Sequence, residues 1–132
     1  RRGEIERAAL DRGNVTLLPY QPRERLALSL NLGAVQLISQ RREMDGLLVP
    51  SKLYGCLATG KPILFVGSES CEVGRTVGEL DCGFVVAEGD IDGACAALVR
   101  LRDDPRLAHA MGVRARTALV ERFTPEFVAY LL

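Results

Sequence analysis

A helix-type segment and an apolar run follow each other directly between residues 50 and 66. Residues 50–59 begin with Pro-Ser and read as a short helix, and Gly60-Lys61-Pro62 supplies the stop signals expected just beyond a helix end. The next four residues, Ile63 to Val66, are all apolar. The pattern predicts a short helix that leads into a buried strand, with Gly60 in the left-handed conformation that ends the helix.

The same alternation of apolar runs and helix-type segments extends along most of the chain. Strands are predicted over 15–18, 34–39, 63–66 and 84–87, and helices over 2–12, 23–30, 50–59 and 71–80. Strands that alternate with helices indicate βαβ units and a parallel sheet. Because the runs are continuously apolar, the strands are expected to be buried on both faces. We therefore predict an α/β fold, a Rossmann-like three-layer α/β/α arrangement around a mainly parallel sheet.

Helices dominate the predicted structure after residue 90 and make the C-terminal part helix-rich. One runs from a cap at Asp90 or Asp92 to about residue 102, and the next starts at Asp104-Pro105, since proline suits the first helical position. Met111-Gly112 is expected to interrupt that helix, a further helix runs to residue 122, and Thr124 caps a last one. Gly13-Asn14 is expected to end the first helix of the chain.

Composition narrows the classes of function. At 132 residues one domain is expected, and 17 basic against 17 acidic residues argue against a nucleic-acid partner held by bulk charge. The four cysteines form no C-x-x-C pair and are expected to be reduced and buried: Cys56, Cys71, Cys82 and Cys95. His109 is the single histidine and is expected at the surface, so no histidine-based metal site is predicted. No apolar run reaches the about 18 residues that a membrane span needs.

Lys52 is the residue that first suggests a ligand. It lies in the first turn of the predicted helix 50–59, and ligands of parallel α/β sheets bind at the carboxyl ends of the strands. The free amides and the macrodipole there offer roughly half a positive charge to an anion, and Lys52 adds a full one. The alternative is a solvated surface lysine. Ser51 can act as the N-cap, as a phosphate contact, or as both.

Four motifs, taken in order, carry a resemblance to a known family. They are the run 14–22 (Asn-Val-Thr-Leu-Leu-Pro-Tyr-Gln-Pro), the run 50–62 (Pro-Ser-Lys-Leu-Tyr-Gly-Cys-Leu-Ala-Thr-Gly-Lys-Pro), Gly83 to Asp90, and the Asp-Pro, Met-Gly, Ala-Arg and Phe-Thr pairs between 104 and 124. Together they resemble the C-terminal, nucleotide-sugar-binding domain of GT-B glycosyltransferases of family four. The Pro-Ser-Lys variant is typical of polysaccharide and lipopolysaccharide enzymes.

The resemblance implies a domain organisation and a function. Residues 1–132 would be one partial nucleotide-sugar-binding domain, with the acceptor domain and the first βαβ unit expected upstream. The whole enzyme would be a bacterial, cytoplasmic, retaining transferase, which moves a glycosyl group from a UDP- or GDP-linked sugar to a polysaccharide or lipid-linked acceptor. No tightly bound cofactor or metal is implied, peripheral contact with the inner face of the membrane is left open, and the isolated chain is expected to be inactive.

The resemblance also assigns roles to single residues, although it identifies no catalytic residue. Ser51, Lys52 and Leu53 would meet the diphosphate, Tyr20 and Gln21 would frame the base, and Glu72 would face a sugar. An ordinary turn at 20–21 and a helix-favouring charge at Glu72 are the alternatives.

Two positions depart from the family pattern. Gly55 stands where the family has a glutamate that holds the ribose, and Leu47 stands where many members have a second glutamate. These departures favour a second hypothesis, a non-catalytic nucleotide-binding or regulatory module with a degenerate donor site. A flavodoxin-like or response-regulator-like domain is a third, which the absent glycine phosphate loop and acidic triad oppose.

Two groups of charged residues each have two alternative interpretations. The loop residues Arg41, Arg42, Glu43 and Asp45 are expected to be solvated, with a lid as the alternative. The arginines of the late helices are expected to lie on solvated faces, with membrane-surface contact as the alternative. They are Arg100, Arg102, Arg106, Arg114, Arg116 and Arg122.

Overall fold

The computed structural model describes residues 2–46 and 51–122, apart from the side chain of Ser51. The described part is a helix-rich α/β structure with a small, open, three-stranded parallel sheet. Its helices are α1 (Arg2–Ala9), α2 (Leu26–Leu30), α3 (Ser51–Ala58), α4 (Glu72–Leu80), α5 (Ile91–Asp103) and α6 (Pro105–Arg122). Its strands are β1 (Gln36–Ser39), β2 (Ile63–Val66) and β3 (Gly83–Val86). Short 3₁₀ turns cover Arg23–Arg25 and Arg42–Met44.

The sheet has the order β1-β2-β3, and both pairs of neighbours are parallel. The register aligns Leu37 with Leu64 and Leu64 with Phe84. Three predicted strands and the parallel sheet are therefore confirmed, with ends that differ by at most two residues. The predicted strand over 15–18 is wrong, because those residues are exposed and join no ladder in the described part of the chain.

One face of the sheet carries the larger core. Ile63 and Phe65 of β2 point to this face and pack with residues of α3, α4 and α6, such as Leu57, Val77 and Leu119. All five side chains are fully buried. Burial of this kind stabilises a fold by about 1.5–3 kcal/mol per large apolar side chain, so this face supplies most of the sheet's stability.

The opposite face is covered only in part. Leu64 and Val86 pack under Ala97 of α5, so helices lie on both sides of the sheet. Leu37 shares this face, yet its side chain is 58% exposed whereas that of Leu64 is 2% exposed. Burial on both faces is therefore confirmed for β2 and wrong for β1, since β1 is an edge strand of the described sheet and Leu37 is not part of the cluster beneath α5.

Several predicted helix ends are confirmed and one is wrong. Gly60 is left-handed with φ 65°, and Asp90 caps α5 by accepting from the amide of Gly93. Asp104 accepts from the amide of Leu107 at the start of α6. By contrast, α1 ends at Ala9, before the predicted Gly13-Asn14 end, and it buries no residue. The predicted cap at Thr124 lies outside the described residues.

Helix α6 runs without a break through Met111-Gly112, so the predicted interruption is wrong. A Cβ added at Gly112 would stand 2.0 Å from the backbone oxygen of Gly60. The glycine therefore serves close packing of α6 against the end of α3, a role that its sequence neighbours do not reveal.

Two arginines of α6 bind the carbonyl ends of other helices. Arg116 donates to the backbone oxygen of Ala58, the last residue of α3. Arg114 donates to the backbone oxygen of Asp81, the left-handed residue that ends α4, and its guanidinium also lies 3.4 Å from the Asp81 carboxylate. Arg100 of α5 stacks over the ring of Phe84. Arg100 and Arg116 are exposed, as expected, and Arg114 is half-buried, but the contacts of these three arginines were not predicted.

The expectations for the cysteines and the histidine are largely confirmed. Cys56, Cys71 and Cys82 are buried, free thiols, but Cys95 lies on the exposed side of α5, where the expectation of burial is wrong. His109 is exposed. Within residues 2–46 and 51–122, no helix has the length and apolar character that a bilayer crossing requires.

Candidate functional site

A cleft opens at the carboxyl edge of the sheet, where all three parallel strands end. It has a volume of about 600 Å³ and is lined by loop residues that follow each strand. Arg42 comes from the loop after β1, residues 67–70 follow β2, and Ala87 and Glu88 follow β3. Open α/β sheets bind ligands at this edge, so the cleft is the candidate site of the described structure.

The loop after β2 begins with a glycine that the packing requires. The amide of Gly67 donates to the Val86 oxygen at 2.9 Å, which continues the sheet by one bond. A Cβ at this position would stand 2.5 Å from the Phe65 ring and 3.1 Å from the backbone oxygen of Gln40. The floor of the cleft is therefore backbone, within reach of a ligand.

The rest of the loop is held down on the first turn of α4. Cys71 caps this helix, because its sulfur accepts from the amide of Gly74 at 3.4 Å. A Cβ at Gly74 would stand 2.3 Å from the backbone oxygen of Ser68, so the loop crosses the helix at van der Waals distance. The Ser68 and Ser70 hydroxyls lie 2.7 Å apart and share a hydrogen bond. One wall of the cleft is thus a fixed turn that carries two hydroxyl groups.

The charge of the cleft is mixed. One guanidinium, Arg42, faces two carboxylates, Glu69 and Glu88. This balance gives no net attraction for an anion, whereas hydroxyl and carboxylate oxygens accept hydrogen bonds from a polyhydroxylated ligand. Arg42 was predicted only as part of a charged loop, because its place in the cleft depends on how that loop turns after β1.

The helix that carries Lys52 begins at this same edge. Since β1 and β2 are parallel, the chain between them must start at the carboxyl edge and return, so the first turn of α3 lies there. Lys52 is exposed, and its charge partly opposes the rise that burial causes in the pKa of the Cys56 thiol. Ser51 begins α3, whereas Leu47 and Pro50 lie outside the described residues.

Leu53 and Gly55 have structural surroundings on α3. The Leu53 side chain is 1% exposed and belongs to the core, so only its backbone could meet a ligand. A Cβ at Gly55 would stand 3.5 Å from the Leu30 side chain, which is an ordinary contact. A Cβ at 55 would therefore fit beside α2.

Glu72 lies near α3. Its place in the first turn of a helix agrees with the prediction. It is exposed in the first turn of α4, and its charge, together with the larger effect of burial, raises the pKa of the Tyr54 hydroxyl. Tyr54 was not among the predicted site residues. No local signal marked it, because its pairing with Glu72 joins two separate helices.

Tyr20 and Gln21 are not brought to the cleft. The Tyr20 side chain is 91% exposed, and the Gln21 amide donates to the nearby Pro19 oxygen at 2.9 Å. Neither residue lines the cleft at the carboxyl edge. Their predicted contact with a base therefore stays a prediction.

Comparison with known proteins leaves the family open. No family model, curated protein or solved structure matches this chain. Among the described residues, no group of three or more histidine, cysteine or acidic side chains is arranged to hold a metal ion. The chemistry of the site is therefore argued from its own residues.

Proposed function

We propose that this chain is the donor-binding part of a glycosyltransferase that uses a nucleotide sugar. One observation carries the proposal: the Pro-Ser-Lys segment that resembles the family motif leads into α3, whose first turn lies at the carboxyl edge of a parallel sheet. This is the edge where such sheets bind nucleotides. In the whole enzyme, the glycosyl group would pass from a UDP- or GDP-linked sugar to a polysaccharide or lipid-linked acceptor, with retention of configuration.

Different residues of the site would bind different parts of the nucleotide-sugar donor. The amides of the first turn of α3 and the Lys52 ammonium would hold the diphosphate, where charge develops as the nucleotide leaves. The hydroxyls of Ser68 and Ser70 and the carboxylate of Glu72 lie on the neighbouring turn, where they would accept hydrogen bonds from sugar hydroxyls. The work of this chain would then be positioning and charge stabilisation, with the acceptor bound elsewhere.

The two lysines of the chain provide a matched test. Lys52 lies in the first turn of α3, whereas Lys61 follows its end. We expect calorimetric titration with UDP- and GDP-sugars to detect binding that Lys52→Ala weakens by about tenfold or more, since a hydrogen bond to a charged group contributes about 1.5–3 kcal/mol. Lys61→Ala should leave the affinity unchanged. Equal effects of the two substitutions would contradict the assignment of Lys52.

The second candidate function is a non-catalytic nucleotide-binding or regulatory module, and Gly55 favours it. A site without the ribose carboxylate has one fewer pair of strong hydrogen bonds to the nucleotide. Gly55→Glu tests this directly, because a Cβ at this position makes only an ordinary contact with Leu30. Tighter nucleotide binding by the variant supports the donor site. If neither form binds any UDP- or GDP-sugar, the non-catalytic module is favoured.

The same proposal includes the cellular location of the enzyme and the activity of the isolated chain. A lipid-linked acceptor would place the enzyme in the cytoplasm, in peripheral contact with the inner face of the membrane. We expect the isolated chain to be inactive, because the acceptor site would lie outside it. Transfer of a radiolabelled sugar by this chain alone would refute that expectation.

A further inference from the structure

In the described part of the chain, the outer edge of β3 offers unpaired backbone groups. Within the described residues, β3 pairs only with β2. The oxygens of Cys82 and Val86 accept from the amides of β2 and its following loop. Since successive residues of a strand direct their backbone groups to opposite sides, Gly83 and Val85 direct theirs to the free edge. The edge also lacks the charged residues, prolines or bulges that commonly protect an edge strand.

A cleft lies on each side of this edge. One of about 600 Å³ separates β3 from α4, where Gly78 leaves space, because a Cβ at this position would meet no atom within 4 Å. The other, of about 310 Å³, separates β3 from α5, with Phe84 and Ala97 in its walls. Val85 lines both clefts, so the backbone of β3 divides them.

This arrangement fits an extended chain. A strand added beside β3 would pair with the free groups of Gly83 and Val85, and its side chains would alternate between the two faces of the sheet. One set would enter the cleft beside α4, and the other set would enter the cleft beside α5. A helix or a flat protein surface would fill only one of the two.

The walls of the clefts define which side chains fit. The cleft beside α4 has three carboxylates, Glu69, Glu79 and Asp81, against one guanidinium, Arg75, so it attracts a cationic side chain. Asp81 is already shared with Arg114, and the two glutamates make no ion pair among those found in the described residues. The cleft beside α5 has mainly apolar walls and accepts an apolar side chain.

We propose that the outer edge of β3 binds an extended peptide of a partner protein by strand addition, with basic side chains beside α4 and apolar side chains beside α5. This surface is separate from the first turn of α3, and its function does not depend on nucleotide-sugar binding. It meets the carboxyl-edge cleft at Glu69, Ser70 and Val85, which line both.

A synthetic peptide tests the proposal on the protein as it exists. The probe is a capped peptide of alternating lysine and valine, and the control is a block peptide with the same composition, all lysines before all valines. We expect the alternating peptide to bind at least about fivefold more tightly, and N-methylation of alternate backbone amides to cost about fivefold or more, because each backbone bond contributes modestly. Hydrogen exchange of the Val85 amide, followed by NMR, should become slower when the peptide is bound.

Protein variants locate the peptide. Gly78→Leu fills the cleft beside α4 and should weaken binding at least about fivefold, whereas the same change in α1, Gly3→Leu, should have no effect. Equal binding of the N-methylated peptide, or unchanged exchange at Val85, would overturn the proposal without any variant. If the Val85 amide is already protected in the absence of peptide, and more so at higher protein concentration, the edge pairs with a second copy of the chain and the peptide proposal is wrong.

Discussion

Two four-residue segments of this chain that were both predicted as strands differ in the structure. Val15–Leu18 and Ile63–Val66 both carry the strand pattern, and both are followed by a loop. Ile63 and Phe65 are fully buried between two paired strands and three helices, whereas Leu18 remains 52% exposed and joins no ladder in the described part of the chain. An apolar run therefore becomes a strand only where neighbouring strands satisfy its backbone and helices cover its side chains.

The largest expected contrast comes from truncating one side chain in each run. Phe65→Ala should lower the free energy of unfolding by about 3–5 kcal/mol, because it removes a fully buried ring and leaves a cavity. Leu18→Ala should change it by less than about 0.5 kcal/mol, since the side chain is already half in water. Urea unfolding followed by circular dichroism measures both. Similar losses for the two variants would mean that the 15–18 run is packed in solution.

The pH dependence of the free energy of unfolding tests whether the thiol next to β2 is buried. The carbonyl oxygen of Cys82 accepts a hydrogen bond from the first amide of β2, and burial raises the pKa of the Cys82 thiol from 9.0 to about 11. The folded state favours the neutral thiol, so this contribution is complete below pH 9. It is lost as the pH rises towards about 11, because the unfolded chain ionises first.

The expected size of that loss is about 2–3 kcal/mol between pH 9 and 11, since each pKa unit corresponds to about 1.4 kcal/mol. Urea midpoints measured across this range should fall more steeply for the native chain than for Cys82→Ala. Parallel profiles for the two proteins would show that the thiol titrates as in water. The start of β2 would then be less well buried than the structure indicates.

A smaller effect distinguishes glycines that packing requires from those that it does not. Gly112→Ala should destabilise the fold by about 1–3 kcal/mol, because the methyl group would meet the backbone of Gly60. Gly78→Ala should instead stabilise it by about 0.5–1 kcal/mol, since the position is helical and open. Thermal unfolding of the two variants gives the comparison. A neutral Gly112→Ala would show that α6 and the end of α3 can separate at little cost.

The elements that could be predicted are those whose cause is local. The helix before Gly60, the run Ile63–Val66 and the capped start of α5 at Asp90 depend on residues within one or two turns. The misassigned strand at 15–18 and the misassigned break at Gly112 depend on contacts with distant parts of the chain. No pattern of neighbouring residues contains that information.

In the candidate site, too, the features with a local cause could be predicted and those that depend on distant contacts could not. Glu72 was expected in a first helical turn and lies there, and the helix predicted over 50–59 is present as α3. The place of Arg42 in the cleft, and the effect of Glu72 on Tyr54, arise only when separate loops and helices meet. Leu53 illustrates the reverse case, because a residue that was predicted to meet a ligand has its side chain in the core.

The hydrogen bonds that the arginines of α6 donate have a consequence for the position of two helices. The hydrogen bonds of Arg116 and Arg114 connect the C-terminal ends of α3 and α4 to the same helix, α6. The N-terminal ends of α3 and α4 lie at the carboxyl edge of the sheet. Helix α3 has eight residues and is therefore about 12 Å long, so a small tilt at its anchored end becomes a larger displacement at Lys52. Helix α6 thus fixes the C-terminal ends of both helices, and through them it sets where their N-terminal ends lie relative to each other at the carboxyl edge.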